Sequence, residues 1–180
     1  MQKLYIVSIL MLSIGITSCK KTVTDLPPAT QTGANTFGAK VDGSFWVPAG
    51  FGVVPTAPLL EATFEPNRDF HLYARNFSSE PTETEFEFFI KGVTAPGTYT
   101  LNADVTYPTS GASYAYYVKR KVTPENEWIT SAQYTGTVTI TRVDPTAHVV
   151  SGSFQFNAVN MYNTLQPISV TEGRFDVVFQ

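Results

Sequence analysis

The chain has one cysteine, two histidines and few charged residues, and each scarcity removes a class of function. A single cysteine, Cys19, excludes an internal disulfide and a zinc site built from several thiolates. Neither His71 nor His148 stands in a metal-binding spacing, and zinc takes three or four ligands, so no metal or other cofactor is expected. Charged residues make up 15% of the chain and the net charge is −3. No basic surface for nucleic acid is therefore expected.

Familiar catalytic motifs are missing as well. The chain contains no Gly-x-Ser-x-Gly and no glycine-rich phosphate loop. Glu83, Glu85 and Glu87 alternate along one run, which spaces them about 7 Å apart on a strand, within the range of inverting glycosidase carboxylates. Such enzymes place their acids across a cleft, so the row predicts a solvated strand face. No enzyme is expected, and a hydrolase remains the least favoured reading.

The first positive feature of the chain is an apolar segment at its N-terminus that ends in a cysteine. Lys3 precedes a short apolar run that ends in Ile-Thr-Ser-Cys at residues 16–19. The run is shorter than the roughly 20 apolar residues of a membrane-spanning helix, and polar residues interrupt it. A cleavable signal with an incidental cysteine is the other alternative. The pattern predicts a lipoprotein signal peptide over residues 1–18 and lipidation of Cys19 after cleavage.

The next segment differs in character from everything that follows. Residues 19–35 contain Thr, Pro and Gly without hydrophobic periodicity, which predicts the lipidated cysteine and a flexible tether. Fully extended, that tether would reach about 50 Å. The rest, residues 36–180, is long enough for one domain with a single core.

Past residue 36, apolar residues recur with a period of two. Phe154, Phe156 and Ala158 alternate with polar residues, and a threonine row alternates with Val138 and Ile140. Turn residues separate the runs, with a hairpin signal at residues 42–43. The chain is therefore predicted to be all-β, an antiparallel β-sandwich of roughly nine or ten strands. A closed or partly open β-barrel is the alternative.

Aromatic residues supply the candidate binding site. Tyr114, Tyr116 and Tyr117 place tyrosine on both faces of one strand, and Trp128 follows a short distance on. Exposed aromatic rings stack on sugars, so these four residues are the predicted glycan-binding residues. The alternatives are a sheet core with hydroxyls at its rim or an exposed patch that docks a protein.

The stretch Pro-Pro-Ala-Thr-Gln-Thr-Gly-Ala-Asn-Thr-Phe-Gly at residues 27–38, behind a lipobox and a polar spacer, carries a family resemblance. It resembles the start of Bacteroidota-type lipoproteins of unknown function, whose spacer leads into a β domain. The resemblance implies the fold and an outer-membrane location, and it implies no ligand. In such bacteria, surface-exported lipoproteins carry acidic residues after the cysteine. Lys20 and Lys21 stand here instead, which favours the periplasmic face over the cell surface.

Together these features predict a lipid-anchored binding or interaction module of the cell envelope, without catalysis and with a glycan as the candidate ligand. A structural or protein-interaction lipoprotein is the alternative. The expected partners are the membrane, through the N-terminal lipid, and a glycan or an envelope protein.

Overall fold

The computed structural model describes residues 23–50, 57–78, 83–108, 111–120 and 126–180. Within these ranges the chain forms eleven strands and no helix. They are β1 (Thr36–Val41), β2 (Ser44–Trp46), β3 (Leu60–Phe64), β4 (Phe70–Asn76), β5 (Glu83–Ile90), β6 (Gly97–Leu101), β7 (Tyr114–Arg120), β8 (Glu127–Ile129), β9 (Gly136–Asp144), β10 (Val149–Asn160) and β11 (Pro167–Val178). The described ranges hold no helix that could cross a membrane. The predicted all-β class is confirmed.

All eleven strands belong to one antiparallel sheet. Its order is β2-β1-β11-β10-β8-β7-β5-β4-β3, and β9 pairs with β10 while β6 pairs with β9. The sheet branches at β10, because residues 149–156 of that strand pair with β9 whereas Val159 and Asn160 pair with β8. The two arms curl around a common core as a half-barrel. This architecture agrees with both predicted forms, the sandwich and the partly open barrel.

The core lies on the inner face and is rich in phenylalanine. Phe88 and Phe154 have ring centroids 4.7 Å apart, and Phe37 packs on Phe154 at 5.1 Å. Burial of each such ring contributes about 1.5–3 kcal/mol to folding. Along β10, Phe154, Phe156 and Ala158 are buried, whereas Gln155 and Asn157, which alternate with them, are exposed. The period of two read from the sequence therefore marks the inner face.

The hairpin predicted at Asp42 and Gly43 is confirmed. Val41 pairs with Ser44 across the turn, and Asp42 and Gly43 have φ angles of 48° and 78°. Both angles lie in the left-handed region that a type I′ turn requires. The amide of Ser169 donates to Asp42 Oδ1 at 2.9 Å, which ties the hairpin to β11.

The described part of the predicted tether is docked on the sheet. We call residues 26–35 the strap. Leu26 is 8% exposed, and Pro27 packs over Gly38, where an added Cβ would lie 2.7 Å from Pro27 Cδ. Further along, the strap meets the carboxylate of Asp176, which is 1% exposed. That carboxylate accepts hydrogen bonds from the hydroxyls of Thr30 and Ser151 at 2.6 and 2.7 Å and from the amides of Thr32, Gly33 and Ala34 at 2.9, 2.8 and 3.1 Å.

These contacts correct the prediction of a flexible tether for residues 26–35, whereas residues 19–22 of that prediction lie outside the described residues. Burial alone would raise the pKa of Asp176, but the donors around it, led by the Thr30 and Ser151 hydroxyls, hold that pKa well below its ordinary value. Asp176 is therefore ionised at neutral pH and binds the strap through charge-assisted hydrogen bonds. Hydrophobic periodicity cannot reveal such a contact, because backbone amides and hydroxyls make it.

Candidate functional site

The four aromatic residues predicted to bind a glycan are buried. Tyr114, Tyr116, Tyr117 and Trp128 are 1%, 4%, 2% and 6% exposed. Tyr117 belongs to the main core, where its ring lies 4.7 Å from that of Phe86. Tyr114 and Tyr116 belong to a separate cluster on the outer face of β7. The expected row of exposed rings is not formed, because both faces of β7 are covered.

A loop after β6 covers the outer face of β7. This cover loop, residues 102–108, packs Val105 and Tyr107 against the outer cluster. The ring of Tyr107 stacks on that of Tyr116, with centroids 4.2 Å apart and planes within 3°, and it meets Tyr114 edge-on at 6.0 Å. Each such aromatic pair adds about 0.5–1.5 kcal/mol beyond the area it buries. The cover loop thus shields from solvent the rings of Tyr114 and Tyr116, which the sequence predicted to bind a glycan.

A buried glutamate fastens the cover loop to the sheet. Glu87 on β5 is 7% exposed, and its carboxylate accepts hydrogen bonds from the hydroxyls of Tyr114 at 2.5 Å and Tyr107 at 3.0 Å. Burial first, and then the Glu87 carboxylate, raises the pKa of both tyrosines. Both hydroxyls therefore keep their protons at neutral pH and satisfy the buried carboxylate, which would be costly without donors.

The glutamate row is held in structural contacts. Glu85 Oε2 lies 3.0 Å from Arg120 Nη2 and 3.6 Å from Arg75 Nε, and Arg75 also contacts Glu61 at 3.0 Å. The predicted solvated face is wrong for Glu87, because tyrosines from β7 and the cover loop enclose it. Two of the three carboxylates of the row are thus engaged by neighbouring side chains.

The histidines serve local packing. His71 Nε2 lies 3.0 Å from Glu65 Oε1, and its ring packs on Phe89 at 4.8 Å. The ring of His148 stacks on that of Phe179 at 5.2 Å. Over the residues described by the structure, no group of three His, Cys, Asp or Glu side chains could hold a metal ion.

A different part of the outer surface is open and uncharged. Its side chains come from β9, β10 and β11, with the residue just before β9, and stand in two rows across the strands. We call them the polar face: Thr135, Asn157 and Ser169 in one row, and Thr137, Gln155 and Thr171 in the other. The strand register builds these rows, since Thr137 pairs with Gln155 and Asn157 pairs with Ser169. Thr171 joins the second row at a β-bulge opposite Gln155.

The polar face is concave. Two adjoining hollows of about 370 and 420 Å³ meet at Asn157 and Ser169. Each falls in the range of about 300–1,000 Å³ typical of small-molecule sites. The first is lined only by uncharged residues, and the second adds Asp42 and the half-buried Tyr134. The carboxylate of Asp42 is already engaged by the amide of Ser169.

Polar groups of this face are available to a ligand. Gln155 and Asn157 are exposed, and their side chains make no hydrogen bond to any group in the described part of the chain. Side-chain amides donate and accept, and threonine hydroxyls do the same. The sequence marked the individual threonines as the wet face of a strand. The strand register places these threonines beside Gln155 and Asn157, and the sequence alone does not reveal that register.

Comparison with protein families places most of the chain in one family. Residues 56–178 match the model described as Domain of unknown function (DUF6252). The chain belongs to this family. The match includes all of the polar face, the cover loop and Asp176, and it begins after the strap. Searches of curated proteins and of solved structures gave no match.

The predicted lipidation site, Cys19, and the signal peptide over residues 1–18 lie outside the described residues. The first described residue, Val23, lies four positions beyond Cys19. The strap then connects that point to β1.

Proposed function

We propose that this DUF6252 protein is a lipid-anchored, non-catalytic binding module of the cell envelope that holds a neutral glycan on its polar face. The observation that carries the proposal is the concave surface with two rows of uncharged hydroxyl and amide side chains. A neutral polyol needs many donors and acceptors and no counter-charge. The polar face supplies them on a sheet, which holds them in fixed positions.

The envelope location rests on the sequence. The lipobox ending at Cys19 supports export and acylation, and Lys20 and Lys21 favour the periplasmic side of the outer membrane. In this proposal the lipid keeps the domain at the membrane and the polar face meets the ligand.

Binding to oligosaccharides tests the proposal. The full chain is screened against a glycan array, and calorimetry then measures the Kd of any hit for the wild type and for the double variant Gln155→Ala/Asn157→Ala. Loss of two hydrogen bonds of about 0.5–1.5 kcal/mol each raises the Kd about 5-fold to 150-fold. Gln180→Ala removes an exposed amide at the end of the chain and serves as the matched control. Absence of any glycan hit, or equal Kd values for all three proteins, would contradict the proposal.

A second candidate function, docking to an envelope protein, is favoured by the loop between β10 and β11. Met161, Tyr162 and Leu165 are 38%, 57% and 87% exposed there. The loop is held in shape, because Asn160 Oδ1 accepts the amides of Tyr162 and Asn163, each at 2.9 Å. Chemical cross-linking in membranes, repeated with Leu165→Ser, tests this function. A partner protein captured equally by both chains would count against the loop.

A further inference from the structure

An apolar groove lies beside the strap, at the end of the sheet opposite the loop between β10 and β11. Its volume is about 640 Å³, and it is lined mainly by apolar side chains, among them Val23, Leu26, Pro27, Val47, Leu59 and Leu60. A groove of this size is comparable to ligand pockets of about 300–1,000 Å³. A concave site with a mainly apolar lining suits an apolar ligand group.

The strap fixes one wall of the groove. Leu26 and Pro27 belong to that wall, and the carbonyl of Pro27 accepts a hydrogen bond from Arg174 Nη1 at 3.4 Å. A few residues further on, Asp176 binds the strap through the amides of residues 32–34. Because these contacts hold the strap on β11, the point from which the N-terminus departs is also held at the groove.

The distance from the groove to Cys19 is short. Val23 itself lines the groove, and the four Cα–Cα steps from Cys19 to Val23 span at most about 14 Å. A lipid attached to Cys19 as proposed above would therefore be rooted within that distance of the groove. A docked strap excludes the alternative of a domain held on a 17-residue free tether over residues 19–35.

We infer that the groove binds one acyl chain of the lipid on Cys19. This inference rests on the lipidation that the proposed function includes. The groove offers an acyl chain surroundings as apolar as the bilayer, and the chain in turn removes the apolar lining of the groove from water. The remaining chains keep the protein in the bilayer, where stable anchoring takes more than one hydrophobic group. The bound chain orients the domain, with the groove end of the sheet against the membrane and the polar face away from it.

Site-specific photo-cross-linking of the mature, lipidated protein in membranes tests the inference. A benzophenone amino acid replaces Leu59 on the groove wall, and tryptic peptides are analysed by mass spectrometry after irradiation. The expected product joins the peptide that carries residue 59 to the acylated N-terminal peptide beginning at Cys19. Unmodified Cys19 would overturn both the lipid anchor and this inference. An acylated Cys19 without that product would overturn the inference alone.

A matched control uses the same probe at Val178. This side chain is 43% exposed and lies close to the strap, since a Cβ on Gly33 would come within 3.1 Å of Val178 Cγ2, yet it is outside the groove. The cross-link to the acylated peptide is expected at residue 59 and to be several-fold weaker at residue 178. Equal yields, or capture of membrane phospholipid or of residues 51–56 in place of the Cys19 chain, would overturn the inference.

A filling substitution gives a second readout. Ala49→Phe places a ring on the groove wall, and Ala147→Phe makes the same change in the exposed turn between β9 and β10. The cross-link from residue 59 should fall several-fold with Ala49→Phe and stay unchanged with Ala147→Phe. A yield that does not respond to Ala49→Phe in the folded protein would place the acyl chain outside the groove.

Discussion

The outer side of this single sheet carries two surfaces of opposite character. Over β5 and β7 it is aromatic and closed, with Tyr107 of the cover loop stacked on Tyr116. Over β9, β10 and β11 it is hydroxyl- and amide-rich and open at Gln155 and Asn157. An antiparallel sheet tolerates a solvent-exposed face when its side chains are polar. A loop that covers tyrosine rings removes them from water, which stabilises the folded protein. Aromatic density in this chain therefore marks a covered surface, and the open surface is the polar one.

Each covering segment is fastened by one buried carboxylate. Glu87 holds the cover loop through the hydroxyls of Tyr107 and Tyr114. Asp176 holds the strap, mainly through backbone amides and the Thr30 hydroxyl. Loss of the tyrosine protons should weaken the cover loop at high pH. Protonation of Asp176 should weaken the strap at low pH.

The largest expected effect is on the closed surface. Tyr114→Ala removes a ring that is 1% exposed and leaves Glu87 with one donor fewer, so we expect a loss of about 3–5 kcal/mol in the free energy of unfolding. Tyr162→Ala removes a ring that is 57% exposed and should change that free energy by less than about 0.5 kcal/mol. Urea unfolding measures both. Equal losses would show that the cover loop does not bury Tyr114 as described.

The second largest loss of stability is expected when the contact between Asp176 and the strap is removed. Asp176→Asn replaces an acceptor of several amides by a group that also donates, and we expect a loss of about 1.5–3 kcal/mol at pH 7. Because the folded-state pKa of Asp176 is lowered, the wild type keeps this stabilisation above the ordinary value of 3.8 and loses it as pH falls further. The difference between wild type and variant should therefore narrow below pH 3.8.

Urea unfolding at neutral and acidic pH measures that difference. Glu172→Gln is the control, since its ion pair with Lys40 is on the surface, and it should cost less than about 1 kcal/mol. A difference between wild type and Asp176→Asn that stays constant down to strongly acidic pH would argue against an ionised Asp176 in the folded protein.

The cover loop has the converse pH dependence. Burial and Glu87 raise the pKa of Tyr107 above its ordinary value of 10.0, so its contribution is present below pH 10 and is lost as pH rises towards the folded-state value. Tyr107→Phe should cost about 1 kcal/mol at pH 7 through the lost hydrogen bond. Above pH 10, the slope of stability against pH should be shallower in the variant by up to about 1.4 kcal/mol per pH unit. Identical alkaline slopes would refute the role given to this hydroxyl.

The smallest effect on stability belongs to the open surface. Gln155→Ala/Asn157→Ala removes two exposed side chains, so the free energy of unfolding should change by less than about 0.5 kcal/mol per residue. The same variant is expected to bind the glycan more weakly, with the rise in Kd given above. A large loss of stability would mean that these side chains support the sheet rather than serve a ligand.

Much of the fold was predictable because it follows from local patterns. Alternation of Phe154, Phe156 and Ala158 with polar residues identified the inner face of β10, and Asp42 with Gly43 identified a hairpin. Each of these signals lies within a few neighbouring residues. The polar face escaped prediction because its two rows join residues whose pairing is set by strand register.

The sequence by itself determined the all-β class, the inward faces of the strands and the first hairpin, since side-chain alternation and turn stereochemistry are properties of adjacent residues. Tertiary structure alone decided which outer surfaces are covered. Tyr107 reaches Tyr116 through the cover loop, and Asp176 reaches the strap across more than 140 positions of chain. A carboxylate that accepts distant amides leaves no periodic trace in a sequence, and so the docked strap and the open polar face became apparent only when the chain was folded.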